Sequence, residues 1–224
     1  QRPVADFERA RSLEQKEARI EEIKAAAESL FNEVPYHEIT LSMIADRLSW
    51  TRANLYRYFK SKEEIFLDLD SDSMNRYYDL LMSSLPEGND YSPDMVASIW
   101  ATVISNSRMY IKYGLYQNAI IEKNVCESCY LKFKKAFYAR SSEFGKRLSE
   151  MYGISSAVAM ELQLAVYFHA IGKLYMCSLD AETMRMLKNL ENSPRFPTMD
   201  FNESIRQFTL LCLENITVYQ KRCS

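Results

Sequence analysis

Thr40-Leu41-Ser42-Met43-Ile44-Ala45-Asp46-Arg47-Leu48, then Ser49-Trp50, then Thr51-Arg52-Ala53-Asn54-Leu55-Tyr56-Arg57-Tyr58-Phe59: two short runs, each opened by a threonine, stand either side of a two-residue break. A threonine just ahead of a helical run can accept a hydrogen bond from an amide in the first turn, so Thr40 and Thr51 predict two short helices. Ser61 marks a third start, with Glu64 three residues on completing a capping box. Two short helices that meet at a wide angle need a small residue where their backbones approach, and Ala45 supplies it. The turn needs a residue that tolerates an unusual backbone conformation, and that position falls at Ser49. Ile44, Leu48, Trp50, Leu55 and Phe59 then pin the pair to the preceding helix. That leaves Thr51, Arg52, Asn54, Tyr56, Arg57 and Tyr58 largely facing outward.

The surroundings extend the helical reading. Upstream, Ile20, Ile23, Ala27, Leu30 and Phe31 form a stripe at helical spacing from about Glu14 to Glu33, closed before Pro35. Residues 1–13 are polar, carry Arg2, Arg9 and Arg11, and read as a flexible arm. Downstream, amphipathic runs predict helices at about 62–84, 93–112, 115–123, 127–151, 156–179 and 201–222. The breaks fall at Pro86 to Asn89, Gly114, Gly153 and Pro194 to Pro197. No strand-like alternation persists and no internal repeat is present. The 224 residues hold only five glycines and six prolines, which suits long helices joined by short turns. The expected class is all-α: a three-helix helix-turn-helix head over residues 1–65 and a larger antiparallel bundle over 66–224.

Charge and motif content narrow the function. Net charge is −2, which argues against a general nucleic-acid coat. Within the head, however, residues 47–62 carry Arg47, Arg52, Arg57, Lys60 and Lys62 and no acid, the pattern of a local phosphate-contact surface. In a helix-turn-helix unit the second helix enters the major groove and presents its N-terminal residues to base edges. Neither GxGxxG nor GxxxxGK[ST] occurs, so nucleotide-binding enzymes are disfavoured. Only two histidines are present: His37 in a loop of the head and His169 on an apolar run. No Ser/His/Asp order, paired-carboxylate motif or HExxH can be drawn, so neither a catalytic residue nor a metal or other cofactor is expected. Cys126-Glu127-Ser128-Cys129 is a CxxC that a thiol switch or soft-metal site would share, but no second CxxC or histidine cluster accompanies it. Two incidental reduced cysteines are the plainer reading. With an odd total of five cysteines, no signal-peptide pattern and no apolar run of membrane length, a cytoplasmic protein with no membrane partner is expected.

The head resembles the TetR family of regulators. The residues that carry the likeness are Ala26-Ala27-Glu28-Ser29-Leu30-Phe31, Thr40, Ile44-Ala45, Ser49-Trp50-Thr51, and Asn54-Leu55-Tyr56-Arg57-Tyr58-Phe59-Lys60-Ser61-Lys62-Glu63-Glu64, at matching spacing over about a quarter of the chain. Two loop positions depart from the pattern: Pro35 stands where a glycine usually precedes the aromatic at Tyr36, and Ser49 replaces the turn glycine. The resemblance implies that Thr40 meets a backbone phosphate. It implies that Arg52 and Asn54 read bases, since arginine pairs with guanine and asparagine with adenine by two hydrogen bonds each. Tyr56 and Tyr58 would touch phosphates or a thymine methyl, and Lys62 another phosphate. Thr51 and Arg57 complete the expected surface.

For the body, the resemblance implies a helical bundle that binds an inducer and dimerises through its last two long helices. Aromatics crowd its middle, and Trp100, Tyr110, Tyr113, Tyr130, Phe133, Phe137, Tyr167 and Phe168 are the candidates for lining a pocket for an apolar or aromatic effector. At helical spacing such residues also read as plain core. Val166, His169, Gly172, Phe208, Cys212 and Ile216 are the candidates for the dimer face, with Gly172 permitting close helix approach. A homodimer also follows from function, because two heads on a two-fold axis read a palindromic double-stranded operator. The expected protein is a repressor released by a small molecule. The alternatives are a thiol- or metal-responsive regulator using Cys126 and Cys129, and a helical adaptor, which would leave the 40–62 constellation unexplained.

Overall fold

The computed structural model describes residues 4–178, 183, 185–186 and 200–223. All regular elements among them are helical: α1 (Val4–Glu33), α2 (Leu41–Arg47), α3 (Arg52–Leu55), α4 (Lys62–Ser84), α5 (Pro93–Asn106), α6 (Arg108–Tyr116), α7 (Glu127–Tyr152), α8 (Ser156–Cys177) and α9 (Phe201–Cys223), with short turns at Tyr36–Glu38, Gln117–Ile121 and Glu122–Asn124. The class is therefore all-α, with a helix-turn-helix head and a larger helical bundle. The expected break at Pro194 to Pro197 lies outside the described residues. No single helix among the described residues is long and apolar enough to cross a membrane.

Packing divides the chain into two compact units: Gln1–Asp70 with Gln117–Phe133, and Ser71–Tyr116 with Lys134–Ser224. In the first, Ile23, Ala27, Leu30 and Phe31 of α1 are buried, as the stripe requires, and so are Ile44, Leu55, Ile65 and Phe66. Phe31, Tyr36 and Phe66 form a tilted aromatic trio with ring centroids 5.0–6.2 Å apart. Helix α1 starts at Val4, about ten residues before the apolar stripe. Residues 4–13, expected as an arm, are thus helical: nothing in them breaks a helix, and polarity alone does not.

In the second unit, Trp100 and Phe144 meet edge-on at 5.0 Å and the indole N–H donates to the Tyr77 hydroxyl at 2.7 Å. Helix α9 packs along α5 and α8, tied at one end by Arg206 to Asp94 (2.7 Å) and Asn202 to Ser105 (3.0 Å). Ser92 and Ser155 cap α5 and α8, each accepting an amide at 3.3 Å. Gly153 closes α7 in the left-handed region at φ 62°.

Two breaks differ from the expected positions. The run 93–112 divides at Ser107 into α5 and α6. Gly114 does not end a helix but lies inside α6, where a Cβ would come within 2.6 Å of Ile171 Cδ1 and would also strike the Tyr167 hydroxyl. The close approach of α6 and α8 is therefore made at Gly114. Gly172, a candidate for the dimer face, has open space around it within its own chain.

Candidate nucleic-acid interface

Helix α2 begins where Thr40 Oγ1 accepts the Met43 amide at 3.2 Å, and α3 where Thr51 Oγ1 accepts the Asn54 amide at 3.2 Å. Between them the chain reverses: the Trp50 amide bonds back to the Ala45 carbonyl at 2.8 Å, and Ser49 takes φ 56°. That left-handed turn is the conformation for which glycine is the usual choice. Ile44, Ala45, Leu55 and Phe59 are buried, while Leu48 and Trp50 are only half-buried. Trp50 instead makes a lid, packed on Tyr58 at 5.9 Å with the Arg19 guanidinium over its ring.

With Leu55 and Phe59 anchored behind it, α3 leaves Thr51, Arg52, Ala53, Tyr56 and Arg57 exposed and Asn54 half-buried. The Arg52 guanidinium lies 5.8 Å over the Tyr56 ring and donates to its hydroxyl at 3.3 Å. A planar cation resting on an aromatic one turn away loses less freedom when it engages a base. Tyr58 is half-buried against Trp50. Thr40 is exposed, and although its oxygen caps α2, the hydroxyl proton stays free to donate.

Two of the five cations in the basic island have other work. Arg47 forms a two-pronged pair with Glu33 (2.6 and 2.7 Å) and also donates to Ser29 at 2.8 Å. That arginine, and then Ser29, pull the Glu33 carboxyl down to about 2. Lys62 Nζ donates to the carbonyls of Tyr36 (2.9 Å) and Ile39 (2.8 Å) and lies 4.5 Å from the Tyr36 ring centroid. Burial there lowers its pKa. Lys62, expected to hold a phosphate, is thus also engaged within the head. Two of its three N–H groups clamp the Tyr36–Glu38 turn onto the start of α4, and one remains. Arg52, Arg57 and Lys60 are the other cations of the island, all exposed.

The CxxC differs from its plainer reading. Cys126 and Cys129, expected as separate reduced thiols, are joined in a disulfide, their Cα atoms 5.3 Å apart across the first turn of α7. Helical spacing brings the two sulfurs to one side of that turn, and Glu64 of α4 stands against them.

In the second unit the aromatic candidates separate. Tyr110, Phe137 and Tyr167 line a cavity of about 10 Å³ together with Tyr77, Tyr78, Gln163 and Leu164. Trp100 and Tyr113 are wholly buried outside its lining, Phe168 is 51% exposed, and Tyr130 and Phe133 belong to the other unit. The cavity has room for about one water, whereas small-molecule pockets run to several hundred Å³. The packing is closed.

The dimer candidates separate as well. Val166 and Ile216 are buried in their own protomer, and His169 stacks flat on Phe208 at 4.0 Å. Gly172 is exposed and Cys212 half-buried. The outward stripe on α8 runs Ala165, Phe168, Gly172, Tyr175 and Met176, with Gly172 among the candidates, and on α9 it runs Leu211, Asn215, Val218 and Tyr219.

An all-α fold in which the threonine-capped second helix of a short pair carries an exposed arginine and a half-buried asparagine has the arrangement of a helix-turn-helix DNA-binding protein. Residues 23–69 match the model described as bacterial regulatory proteins of the tetR family, and residues 71–215 that of the tetracyclin repressor-like C-terminal domain. The chain belongs to the TetR family and is a DNA-binding transcriptional regulator. Its fold is similar to the crystal structure of a TetR family transcriptional regulator, PfmR, from Thermus thermophilus. The TM-score is 0.55 at 18% identity, covering 86% of this chain and 97% of that one. No curated protein matches the sequence.

Proposed function

We propose that the protein is a homodimeric repressor that holds a palindromic operator through α3 of each protomer and releases it when a small apolar or aromatic molecule enters the body. The supporting observation is the placement of α3, with Leu55 and Phe59 buried behind and Arg52 exposed in front. On this reading Arg52 and Asn54 contact base edges, and Thr40, Thr51, Tyr56, Arg57 and Tyr58 contact the backbone or a thymine methyl. Lys62 adds at most one phosphate bond. Residues 1–65 are the DNA-binding domain and 66–224 the effector and dimer domain, working in the cytoplasm where the DNA is.

The second copy is proposed to dock on the outward stripes of α8 and α9. An exposed apolar stripe on two packed helices is costly to leave in water and suits an isologous contact. The effector is proposed to enter at Tyr110, Phe137 and Tyr167, widening the small cavity. A ligand acts only by preferring one state, so it must favour a form whose heads no longer fit the operator. Selection of bound fragments from a random duplex pool tests the reading. The expected winner is a two-fold symmetric site with half-sites about one helical turn apart. Recovery of no common sequence would contradict it.

A further inference from the structure

The disulfide Cys126–Cys129 stands at the head of α7, in the same compact unit as the helix-turn-helix. The Cys126 carbonyl accepts the Tyr130 amide at 3.0 Å, the first bond of the helix, so Cys126 occupies the cap position. Its sulfur accepts the Cys129 amide at 3.3 Å and lies 3.2 Å from the Ser128 hydroxyl. The Cys129 sulfur faces Glu64 Oε1 at 3.9 Å. The other oxygen of that carboxylate accepts the Lys60 amide at 2.8 Å, in the turn between α3 and α4. Both cysteines are only half-buried, so small molecules can reach them.

These surroundings are asymmetric. A thiolate at Cys126 receives a backbone N–H and faces the positive end of α7, both of which stabilise it. A thiolate at Cys129 would face a carboxylate, which disfavours it; protonated, it can donate to that carboxylate instead.

We propose that Cys126 and Cys129 form a thiol–disulfide couple that exchanges with low-molecular-weight disulfides of the glutathione class, with Glu64 setting which cysteine attacks. Starting from the dithiol, the Cys126 thiolate attacks one sulfur of the small disulfide, forming a mixed disulfide and expelling one thiolate. Cys129 then loses its proton and attacks the Cys126 sulfur, forming the intrachain bond and expelling the second thiolate. The protein gives up two electrons and two protons, and the small disulfide becomes two thiols. On oxidation Glu64 loses its S–H donor and keeps the Lys60 amide, so the redox state is felt at the carboxylate that holds the turn between α3 and α4. This site is independent of the effector cavity.

The test uses the full chain equilibrated in buffers of reduced and oxidised glutathione, with thiol trapping and peptide mapping at Cys126 and Cys129. The expected result is one two-electron transition in which both cysteines are trapped together. Cys129→Ser should accumulate the mixed disulfide on Cys126, and Cys126→Ser should take up far less glutathione at Cys129. Glu64→Gln, which can still accept from Lys60, should raise the alkylation rate of Cys129 at neutral pH at least about threefold in the reduced protein. Both cysteines staying reduced at every glutathione ratio, or Cys129→Ser gaining no glutathione, would overturn the couple. An unchanged Cys129 alkylation rate in Glu64→Gln would overturn the role of Glu64.

Discussion

Replacing Lys62 by methionine keeps the aliphatic stem and removes the ammonium that bridges the Tyr36 and Ile39 carbonyls. A hydrogen bond to a charged group contributes about 1.5–3 kcal/mol. The Tyr36 carbonyl keeps a second donor in the Ile39 amide at 3.2 Å, and the half-buried site lets water compensate part of the loss at Ile39. A net cost of about 2 kcal/mol follows, which in a chain of this size lowers Tm by roughly 4–8 °C. Far-UV circular dichroism during heating measures it. Titration of operator DNA over a salt series separates the two roles, because a phosphate contact adds about 0.9 to the salt slope. Lys62→Met is expected to lower Tm with little change in slope. An unchanged Tm with a slope shallower by about one would refute the clamp and return Lys62 to the phosphate backbone.

Ser49 sits at φ 56° with an exposed side chain, so Ser49→Gly should raise stability by about 0.5 kcal/mol, strain relief being partly offset by the added freedom of the unfolded chain. A loss of stability in thermal melts would show the turn is not strained. The Arg47 guanidinium, and then the Ser29 hydroxyl, hold the Glu33 carboxyl down to about 2 from its ordinary 4.5. Its pairing with Arg47 therefore stabilises the fold above about pH 4.5, and that contribution is lost as pH falls towards 2. Denaturant melts from about pH 6 to about pH 3 should show a steeper acid loss in the parent than in Arg47→Met; parallel curves would contradict the pairing. Phe168→Glu, on the exposed stripe of α8, should convert a dimer to a monomer by light scattering at micromolar concentration, whereas Val166→Ala should cost stability without dissociation. A Phe168→Glu chain that remained dimeric would move the interface elsewhere.

What was legible in the sequence was local. The caps at Thr40, Thr51 and Ser61 are decided within one turn of chain, and each is where the residue type implies. The turn at Ser49 was legible for the same reason, as a position where the backbone must go left-handed. The division of 93–112 at Ser107 was not, because no proline or glycine marks it and the packing of α5 and α6 decides it. Lys62 read as one more cation in a basic island; its carbonyl partners lie more than twenty residues upstream and leave no signal in composition. Arg47 was lost to Glu33 in the same way. On α8, apolar residues at both Val166 and Phe168 let periodicity choose either phase, and tertiary packing buried the first and exposed the second. The CxxC spacing was visible, but the carboxylate of Glu64 against it depends on the fold.

The most direct measurement is the base preference of Arg52→Ala and Asn54→Ala against every single-base variant of one operator half-site, by fluorescence anisotropy at fixed salt. Each variant is expected to lose about 1–3 kcal/mol on the parent site and to become indifferent at one base step, with Tm unchanged. Parent-like affinity and parent-like preference at every position in both variants would contradict the claim that α3 reads the DNA.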